Sequence, residues 1–297
     1  RKQKGFIKGA FSQYLSPTVI DQIVENPDML QLGGEKREMT PFFSDIQGFS
    51  TISEGLTPEE LVQLLNEYLT AMCDIVSSYH GTIDKFEGDA IIAFWGAPLE
   101  LPNHATVACH ASIDMQKRNE EMRKTLREQN RPMLYTRIGM SSGPVVVGNM
   151  GSADRMDYTM MGDVVNLAAR LEGVNKFYKT FTMIPQSTYE LAKDDIDTRQ
   201  LDVIRVVGKK EPIPVYEVLE RKNQTSSEKS GVVENYLKAL KLYEERNFAD
   251  ALKEFEKVLA IDQDDGPSQT YVKRCGVFLE TPPEKDWDGV YTFTEKG

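Results

Sequence analysis

Two aspartates stand at the ends of predicted strands, in positions that suit divalent cations. Asp45 lies at the end of a predicted apolar strand and precedes a glycine turn at Gly48, and Asp89 stands in the tip of a predicted hairpin. Carboxylates that converge from one sheet offer hard oxygen ligands to cations that also bind phosphate groups. Taken singly, each aspartate equally fits an ordinary role as a capping or turn residue.

A second polar pair lies on one predicted helix. Asn166 and Arg170 are four residues apart, and therefore share a helix face. A neutral amide beside a guanidinium can hold the sugar and the phosphate of a reacting nucleotide. A solvated polar stripe has the same spacing and is the commoner case, so spacing does not decide between them.

The elements that must position these side chains alternate between strand and helix patterns. Thr57 to Glu60 carries the signature of a helix start, and apolar residues then recur at helical spacing as far as Tyr79. We predict strands over 40–45, 82–86, 90–95, 134–140 and 145–147, helices over 58–79, 105–129 and 164–178, and a closing hairpin around Gly208. This mixed order predicts an α+β fold with helices covering a sheet.

Composition narrows the functional class. The 297 residues are 40% hydrophobic and 27% charged, as in ordinary globular proteins. The net charge of −11 opposes binding to a phosphate backbone, so we expect no nucleic-acid partner. The three cysteines, Cys73, Cys109 and Cys275, lack paired metal-ligand spacing and predict reduced thiols in the cytoplasm.

The chain divides into four predicted segments. Two amphipathic helices near the C-terminus resemble one tetratricopeptide repeat, which cannot bury its apolar face by itself. They should therefore pack on the main domain, on a second copy, or on the aromatic tail that contains Trp287, Tyr291 and Phe293. The segments are a transducer or linker over 1–35, a catalytic domain over 36–221, a linker over 222–231, and a helical extension over 232–297.

Four motifs together resemble the catalytic domain of class III nucleotidyl cyclases. They lie within Glu38 to Glu220 in the order found in that family: Phe43–Ser50, Asp84–Ala90, Gly143–Gly148 and Gly162–Arg170. The resemblance implies a ferredoxin-like sheet derived from a βαββαβ unit and covered by helices. It also implies conversion of ATP to 3′,5′-cyclic AMP and pyrophosphate.

The resemblance assigns a role to each candidate residue. Asp45, Asp89 and the Ile46 carbonyl would hold two Mg²⁺ or Mn²⁺ ions for attack of the ribose 3′-hydroxyl on the α-phosphorus. Asn166 would orient the ribose, and Arg170 would offset charge on the α-phosphate. The substrate-binding positions would be Ile46, Gly48, Phe49, Ser50, Lys85, Thr159, Met160 and Lys209.

The purine-reading positions of the family fall on Lys85 and Thr159. The Lys85 ammonium can only donate, which suits N1 of adenine, and the Thr159 hydroxyl can accept from the 6-amino group. Guanylyl cyclases place a Glu at the lysine position, so we expect ATP rather than GTP. Many relatives carry Asp in place of Thr159. The Thr form resembles a subgroup that includes bicarbonate-responsive cyclases, which makes bicarbonate stimulation a hypothesis.

One departure from the family pattern, and one weaker match to it, concern the triphosphate. Pro144 replaces an Arg that contacts phosphate in some relatives, which leaves the triphosphate more dependent on cations and on Lys209. Lys210 could exchange roles with Lys209, and a basic hairpin is often merely solvated.

Assembly and location follow from the same resemblance. In the family, one subunit supplies the metal aspartates and the other supplies the base, ribose and arginine residues. Because this chain contains both sets, we predict a homodimer with two shared sites. The basic start at Arg1 and the segment Phe11–Pro17 suggest the cytoplasmic part of an inner-membrane receptor whose upstream sensor is missing. A processed or cloned terminus of a soluble protein would also explain the basic start.

Three other functions compete with this one. The first is a cyclase fold that is weakly active or inactive and acts as a regulatory module, although Asp45, Asp89, Asn166 and Arg170 are all present. Diguanylate cyclases have a related hairpin with a double-glycine-acidic signature, which is absent here. A polymerase-like palm is disfavoured by the acidic charge.

Overall fold

The computed structural model describes residues 20, 24–25, 32–152, 154–206 and 211–293. In these ranges the strands are β1 Gly33–Ile46, β2 Thr82–Glu87, β3 Ala90–Trp95, β4 Thr136–Met140, β5 Gly143–Gly151, β6 Met156–Met161, β7 Thr182–Pro185, β8 Ile196–Arg205, β9 Ile213–Arg221 and β10 Tyr291–Thr292. The helices are α1 Phe49–Glu54, α2 Pro58–Ser78, α3 His104–Glu128, α4 Asp163–Tyr178, α5 Gln186–Ala192, α6 Ser227–Glu244, α7 Phe248–Ile261 and α8 Gly266–Glu280. The α+β prediction is confirmed.

The long strand β1 organises the sheet. The sheet order is β10-β8-β9-β7-β4-β1-β3-β2, and β5 and β6 branch from β1 as an arm. The first half of β1 pairs with β5, and its second half pairs with β3 and β4, all antiparallel. Ser44 lies opposite Ile91 in this register, which brings the β2–β3 turn to the end of β1.

Helix α2 begins as the sequence predicts. The Thr57 side chain accepts the Glu60 N–H, and the Glu60 carboxylate accepts the Thr57 N–H at 2.9 Å. These reciprocal bonds satisfy donors that a helix start otherwise leaves unpaired. The buried residues of α2 recur every four positions and pack against the sheet: Leu64, Tyr68, Met72 and Val76.

Helix α4 lies directly on β4 because β4 has a glycine at the point of contact. A Cβ atom at Gly139 would lie 2.1 Å from the Glu172 backbone N and 2.3 Å from the Ala168 carbonyl O. Real Cβ contacts do not approach so closely, so only glycine permits this spacing. Since Asn166 and Arg170 are on α4, this contact fixes their distance from the sheet.

We expect Gly139→Ala to lower the free energy of unfolding by about 1–3 kcal/mol or more, because α4 must move away from β4. Urea denaturation measures the change. Gly231→Ala in α6 is the matched control, since open space surrounds that position and alanine favours helix. Equal denaturation midpoints for Gly139→Ala and the parent protein would show that the contact is not tight.

As far as residue 293, the C-terminal extension contains three helices rather than the predicted two. Helix α6 starts at Ser227, inside the segment 222–231 predicted as a linker, and α8 was not predicted. Tyr236, Phe255 and Tyr271 of the extension share one apolar core with residues of α4 and β8, and Trp287 and Phe293 pack on it. The extension therefore packs on the main domain and on the aromatic tail. The tetratricopeptide resemblance stays a prediction.

Other sequence predictions differ in detail. Strands β6 and β7 and helix α5 were not predicted; β7 and α5 are short. Strands β8 and β9 flank the predicted hairpin around Gly208, but residues 207–210 lie outside the described ranges. The segment Phe11–Pro17 also lies outside them. In the ranges described above, no helix is both long and apolar enough to cross a membrane.

Candidate active site

Asp45 and Asp89 meet at the end of β1. The Ile46 N–H donates to Asp89 Oδ2 at 2.8 Å, and the Asp45 carboxyl, on the residue before Ile46, is near enough to raise the pKa of Asp89. Pairing of β1 with β3 causes this convergence, because it places the β2–β3 turn beside Ile46. The structure therefore brings the two aspartates together, as the strand pattern predicts.

The two carboxyls oppose each other electrostatically. Burial and the adjacent Asp45 carboxyl raise the pKa of Asp89 to about 6. One guanidinium offsets part of this charge, since Arg137 Nη2 lies 3.2 Å from Asp45 Oδ2. Its Nε donates to Glu172 Oε1 at 2.9 Å. Burial raises the pKa of Glu172 to about 7, against the effect of Arg137.

Arg137 and Glu172 were not among the predicted site residues. Arg137 lies opposite Asp45 in the β1–β4 register, and Glu172 is on the face of α4 that contacts β4. The only sequence signal was Arg137 as a lone cation in an apolar strand. Its pairing depends on the packing of α4 against β4, which local patterns do not contain.

This donor set fits small divalent cations. Two carboxylates and the Ile46 carbonyl would supply hard oxygen ligands, and a cation would relieve the repulsion that raises the pKa of Asp89. In the part of the chain that the structure describes, no group of three or more His, Cys, Asp or Glu is arranged to hold a metal. Cations held here would complete their coordination with water and substrate phosphates, as Mg²⁺ usually does.

We expect Asp89→Asn to raise the melting temperature of the metal-free protein at pH 7.5. The pKa of Asp89 is about 6 in the folded state against 3.8 ordinarily, so the fold disfavours the charged form. The free-energy cost of folding with Asp89 charged grows as the pH rises from about 4 to about 6, and it stays constant at higher pH. If Asp89→Asn raises the free energy of unfolding by on the order of 1 kcal/mol, the melting temperature should rise by about 2–4 °C.

Differential scanning calorimetry across pH measures this effect. The gap between the variant and the parent protein should shrink as the pH falls towards about 4. Mn²⁺ should raise the melting temperature of the parent more than that of Asp89→Asn. A variant that melts lower than the parent at pH 7.5 would contradict the repulsion described above.

A second cluster joins Lys85 to Thr159 through an aspartate. The Thr159 hydroxyl donates to Asp84 Oδ2 at 2.5 Å, and Lys85 Nζ lies 3.5 Å from Asp84 Oδ1. The Asp84 side chain is only 2% exposed. Burial raises the pKa of Asp84, and Thr159 and Lys85 oppose that shift. Asp84 belongs to the motif Asp84–Ala90, but no role was predicted for it.

The remaining predicted residues occupy three places. Asn166 is exposed and Arg170 half-buried on α4, and in the described ranges the side chain of neither makes a hydrogen bond or ion pair. The turn before α1 contains Gly48, which has a φ of 69° that favours glycine. Phe49 and Ser50 begin α1, Met160 is buried in β6, and Lys209 lies outside the described residues.

Within the described ranges, no hydrogen bond or ion pair joins Asp45 or Asp89 to the residues Lys85, Thr159, Asn166 and Arg170. The strands near the second cluster carry exposed apolar side chains, namely Phe86 of β2, Val146 of β5 and Met161 of β6. A surface of this kind often marks a protein–protein contact.

Comparison with known proteins agrees with this fold. Residues 34–219 match the family described as "Adenylate and Guanylate cyclase catalytic domain". The sequence is 35% identical over 209 residues to adenylate cyclase 1 of Rhizobium meliloti (strain 1021), which covers 70% of this chain and 31% of that protein. The chain therefore spans about a third of that relative.

Solved structures give the same result. The adenylyl cyclase CyaB from P. aeruginosa aligns with a TM-score of 0.60 and 38% identity, over 66% of this chain and 100% of that one. The guanylyl cyclase Cya2 aligns with a TM-score of 0.60 and 34% identity, over 65% of this chain and 97% of that one. The fold is thus that of nucleotidyl cyclases. The chain belongs to the family of adenylate and guanylate cyclase catalytic domains, which confirms the predicted resemblance.

Proposed function

We propose that this domain converts ATP to 3′,5′-cyclic AMP and pyrophosphate. The observation that carries the proposal is the convergence of Asp45 and Asp89 beside the Ile46 backbone. In the reaction, the ribose 3′-oxygen forms a bond to the α-phosphorus, the bond from that phosphorus to the pyrophosphate oxygen breaks, and the hydroxyl proton is released. Two divalent cations held by the aspartates would supply charge stabilisation for this in-line displacement.

The chain's own residues bind and orient the nucleotide. Asn166 positions the ribose, and Arg170 stabilises the charge that builds on the α-phosphate oxygens. Both side chains can contact a nucleotide because, in the part of the chain described, they make no hydrogen bond or ion pair. The Lys85 ammonium donates to N1 of adenine, and Thr159 accepts from the 6-amino group. This pairing favours ATP although the relatives include guanylyl cyclases.

We propose a head-to-tail homodimer with two shared sites. In the described ranges, no hydrogen bond or ion pair joins the aspartate pair to the side chains of Asn166 and Arg170, which agrees with this assembly. The exposed apolar side chains of Phe86, Val146 and Met161 lie on strands that would face the partner. In each site, one protomer would supply Asp45 and Asp89, and the other would supply Lys85, Thr159, Asn166 and Arg170.

The direct test is incubation of purified protein with ATP or GTP and Mn²⁺, followed by separation of the cyclic products. We expect cyclic AMP to form well in excess of cyclic GMP, with Asp45→Asn as the inactive control. Product from neither nucleotide would contradict the proposal and favour a regulatory module with a cyclase fold. A larger yield of cyclic GMP would contradict the role of Lys85.

A further inference from the structure

Asp84 lies beneath the two residues proposed to read the purine. It is on β2, next to Lys85, and its carboxylate reaches across to Thr159 on β6. At 2% exposure its side chain is almost completely withdrawn from solvent. Burial of a charged group requires partners, because the loss of hydration costs free energy. Here the partners are the Thr159 hydroxyl and the Lys85 ammonium.

The hydrogen bond from Thr159 fixes what its hydroxyl can offer to a ligand. A hydroxyl has one hydrogen, and a carboxylate can only accept. The Thr159 hydroxyl donates its hydrogen to Asp84 Oδ2, and 2.5 Å separates the two oxygens. The Thr159 oxygen can therefore offer only lone pairs to a ligand. Adenine has a donor at its 6-amino group, whereas guanine has an acceptor oxygen at that position. The Thr159 hydroxyl, acting only as an acceptor, therefore attracts the 6-amino group of adenine and repels the oxygen of guanine.

The other carboxylate oxygen acts on Lys85. Asp84 Oδ1 is fully buried, and among the described residues it accepts no hydrogen bond. Lys85 Nζ is 3.5 Å away, slightly beyond hydrogen-bond distance, and the Lys85 side chain is 40% exposed. An ammonium has three hydrogens. A small rotation would let one of them reach Oδ1 while another reaches N1 of the base.

We propose that Asp84 is a positioning residue that sets the choice of purine, by committing the Thr159 hydroxyl as an acceptor and holding Lys85 as a donor. The inference rests on the proposed function, because it assumes that a purine nucleotide binds at Lys85 and Thr159. It adds a residue that does not touch the nucleotide, and it explains why threonine, which can donate or accept, discriminates at all.

The test is Asp84→Asn, which keeps the size but gives an amide that can donate to Thr159. The Thr159 hydrogen is then free to point at guanine O6. We expect the ratio of kcat/KM for ATP to kcat/KM for GTP to fall at least tenfold, with most of the loss in KM for ATP. A purely structural link between β2 and β6 would lower stability and leave this ratio unchanged.

Thr159 variants complete the test. Thr159→Val removes the hydroxyl and should reduce the ratio, and adding Asp84→Asn to it should change the ratio little further. Thr159→Ser keeps the hydroxyl and should keep the preference. If Asp84→Asn does not fold, Asp84→Ser enters the same assays. A folded Asp84 variant with the parent ratio would overturn the inference.

A binding measurement separates this inference from the proposed function. Calorimetric titration with 3′-deoxy-ATP and 3′-deoxy-GTP, which lack the attacking hydroxyl, reports purine choice without turnover. A parent protein that prefers 3′-deoxy-ATP but forms no cyclic product would contradict the proposed activity and leave the Asp84 assignment testable by the same titration. A preference that Asp84→Asn does not alter would overturn the assignment whatever the activity.

Discussion

Mixing Asp45→Ala chains with Arg170→Ala chains should restore activity that neither variant has by itself. Each homodimer would carry two damaged sites, one kind lacking the cation-binding carboxylate and the other lacking the guanidinium. In a heterodimer, both substitutions would fall in the same site, and the second site would be intact. If the two variants are mixed in equal amounts and exchange subunits freely, half of the dimers are heterodimers with one intact site of two. About a quarter of the parent activity should therefore return.

The separate variants should each lose at least about 10²–10³-fold in kcat, since each removes a group that stabilises charge in the transition state. Asp45 and Arg170 suit the experiment because they lie on different elements, β1 and α4, and no hydrogen bond or ion pair joins their side chains in the described ranges. Both are on the surface side of their elements rather than in the core, so folding should survive each substitution.

Asp45→Ala mixed with Asp89→Ala is the matched control. These substitutions lie in the same cluster, so every dimer that they form has both sites damaged and no activity should return. Sedimentation analysis should confirm that the mixed chains form dimers. Recovery in the control, or none in the main mixture once heterodimers are shown, would rule out the shared site.

Arg199→Met should cause a large loss of stability, because it breaks a buried network of charges. Arg199 is 1% exposed, and its guanidinium contacts Asp265 Oδ1 at 2.7 Å and Glu217 Oε2 at 2.6 Å. It also lies over the Tyr236 ring, 4.8 Å from the centroid. Removing one partner of a buried ion pair lowers the free energy of unfolding by about 3–5 kcal/mol, because the other charge is left buried and unpaired.

The state of Asp265 shows how much depends on this cation. Burial acts to raise the pKa of Asp265. The contacts with Arg199, Ser268 and Lys229 outweigh burial and hold this pKa below its ordinary value of 3.8. A carboxyl whose pKa is lowered by folding stabilises the fold above its unfolded pKa, and this contribution is lost as the pH falls through the folded value. Without Arg199, the sign of this contribution should reverse at neutral pH.

Urea denaturation at pH 7.5 measures the loss. Lys253→Met is the matched control, because its pairing with Asp250 at 3.2 Å is largely exposed to solvent, and we expect no measurable change. Arg199→Met combined with Asp265→Leu should recover part of the loss, since the unpaired charge is removed. Equal midpoints for Arg199→Met and Lys253→Met would contradict the prediction.

The sequence predicts those parts of the fold that depend on neighbours along the chain. The capping box at Thr57, the apolar spacing of α2 and the turn between β2 and β3 are all local, and all are confirmed. Helix α8, which was not predicted, also has a local signal. Its N-cap Asp265 accepts the Ser268 N–H, and Pro267 lies in its first turn, where proline favours a helix start.

The site depends on contacts between distant segments, so the sequence predicts less of it. The pairing of β1 with β3 follows from strand order and brings Asp45 to Asp89. The bond from Thr159 to Asp84 instead requires the arm formed by β5 and β6 to bring β6 against β2. No periodic pattern encodes that approach, which is why Asp84 had no predicted role.

The C-terminal helices support the helix that carries Asn166 and Arg170. Leu171, Val174 and Tyr178 of α4 are buried in the core shared with α6, α7 and α8, and Arg274 of α8 donates to the Tyr178 hydroxyl. Trimming the chain to residues 34–219 would uncover this apolar side of α4. The boundary of the family match is therefore not a safe place to cut, and an excised catalytic core should aggregate.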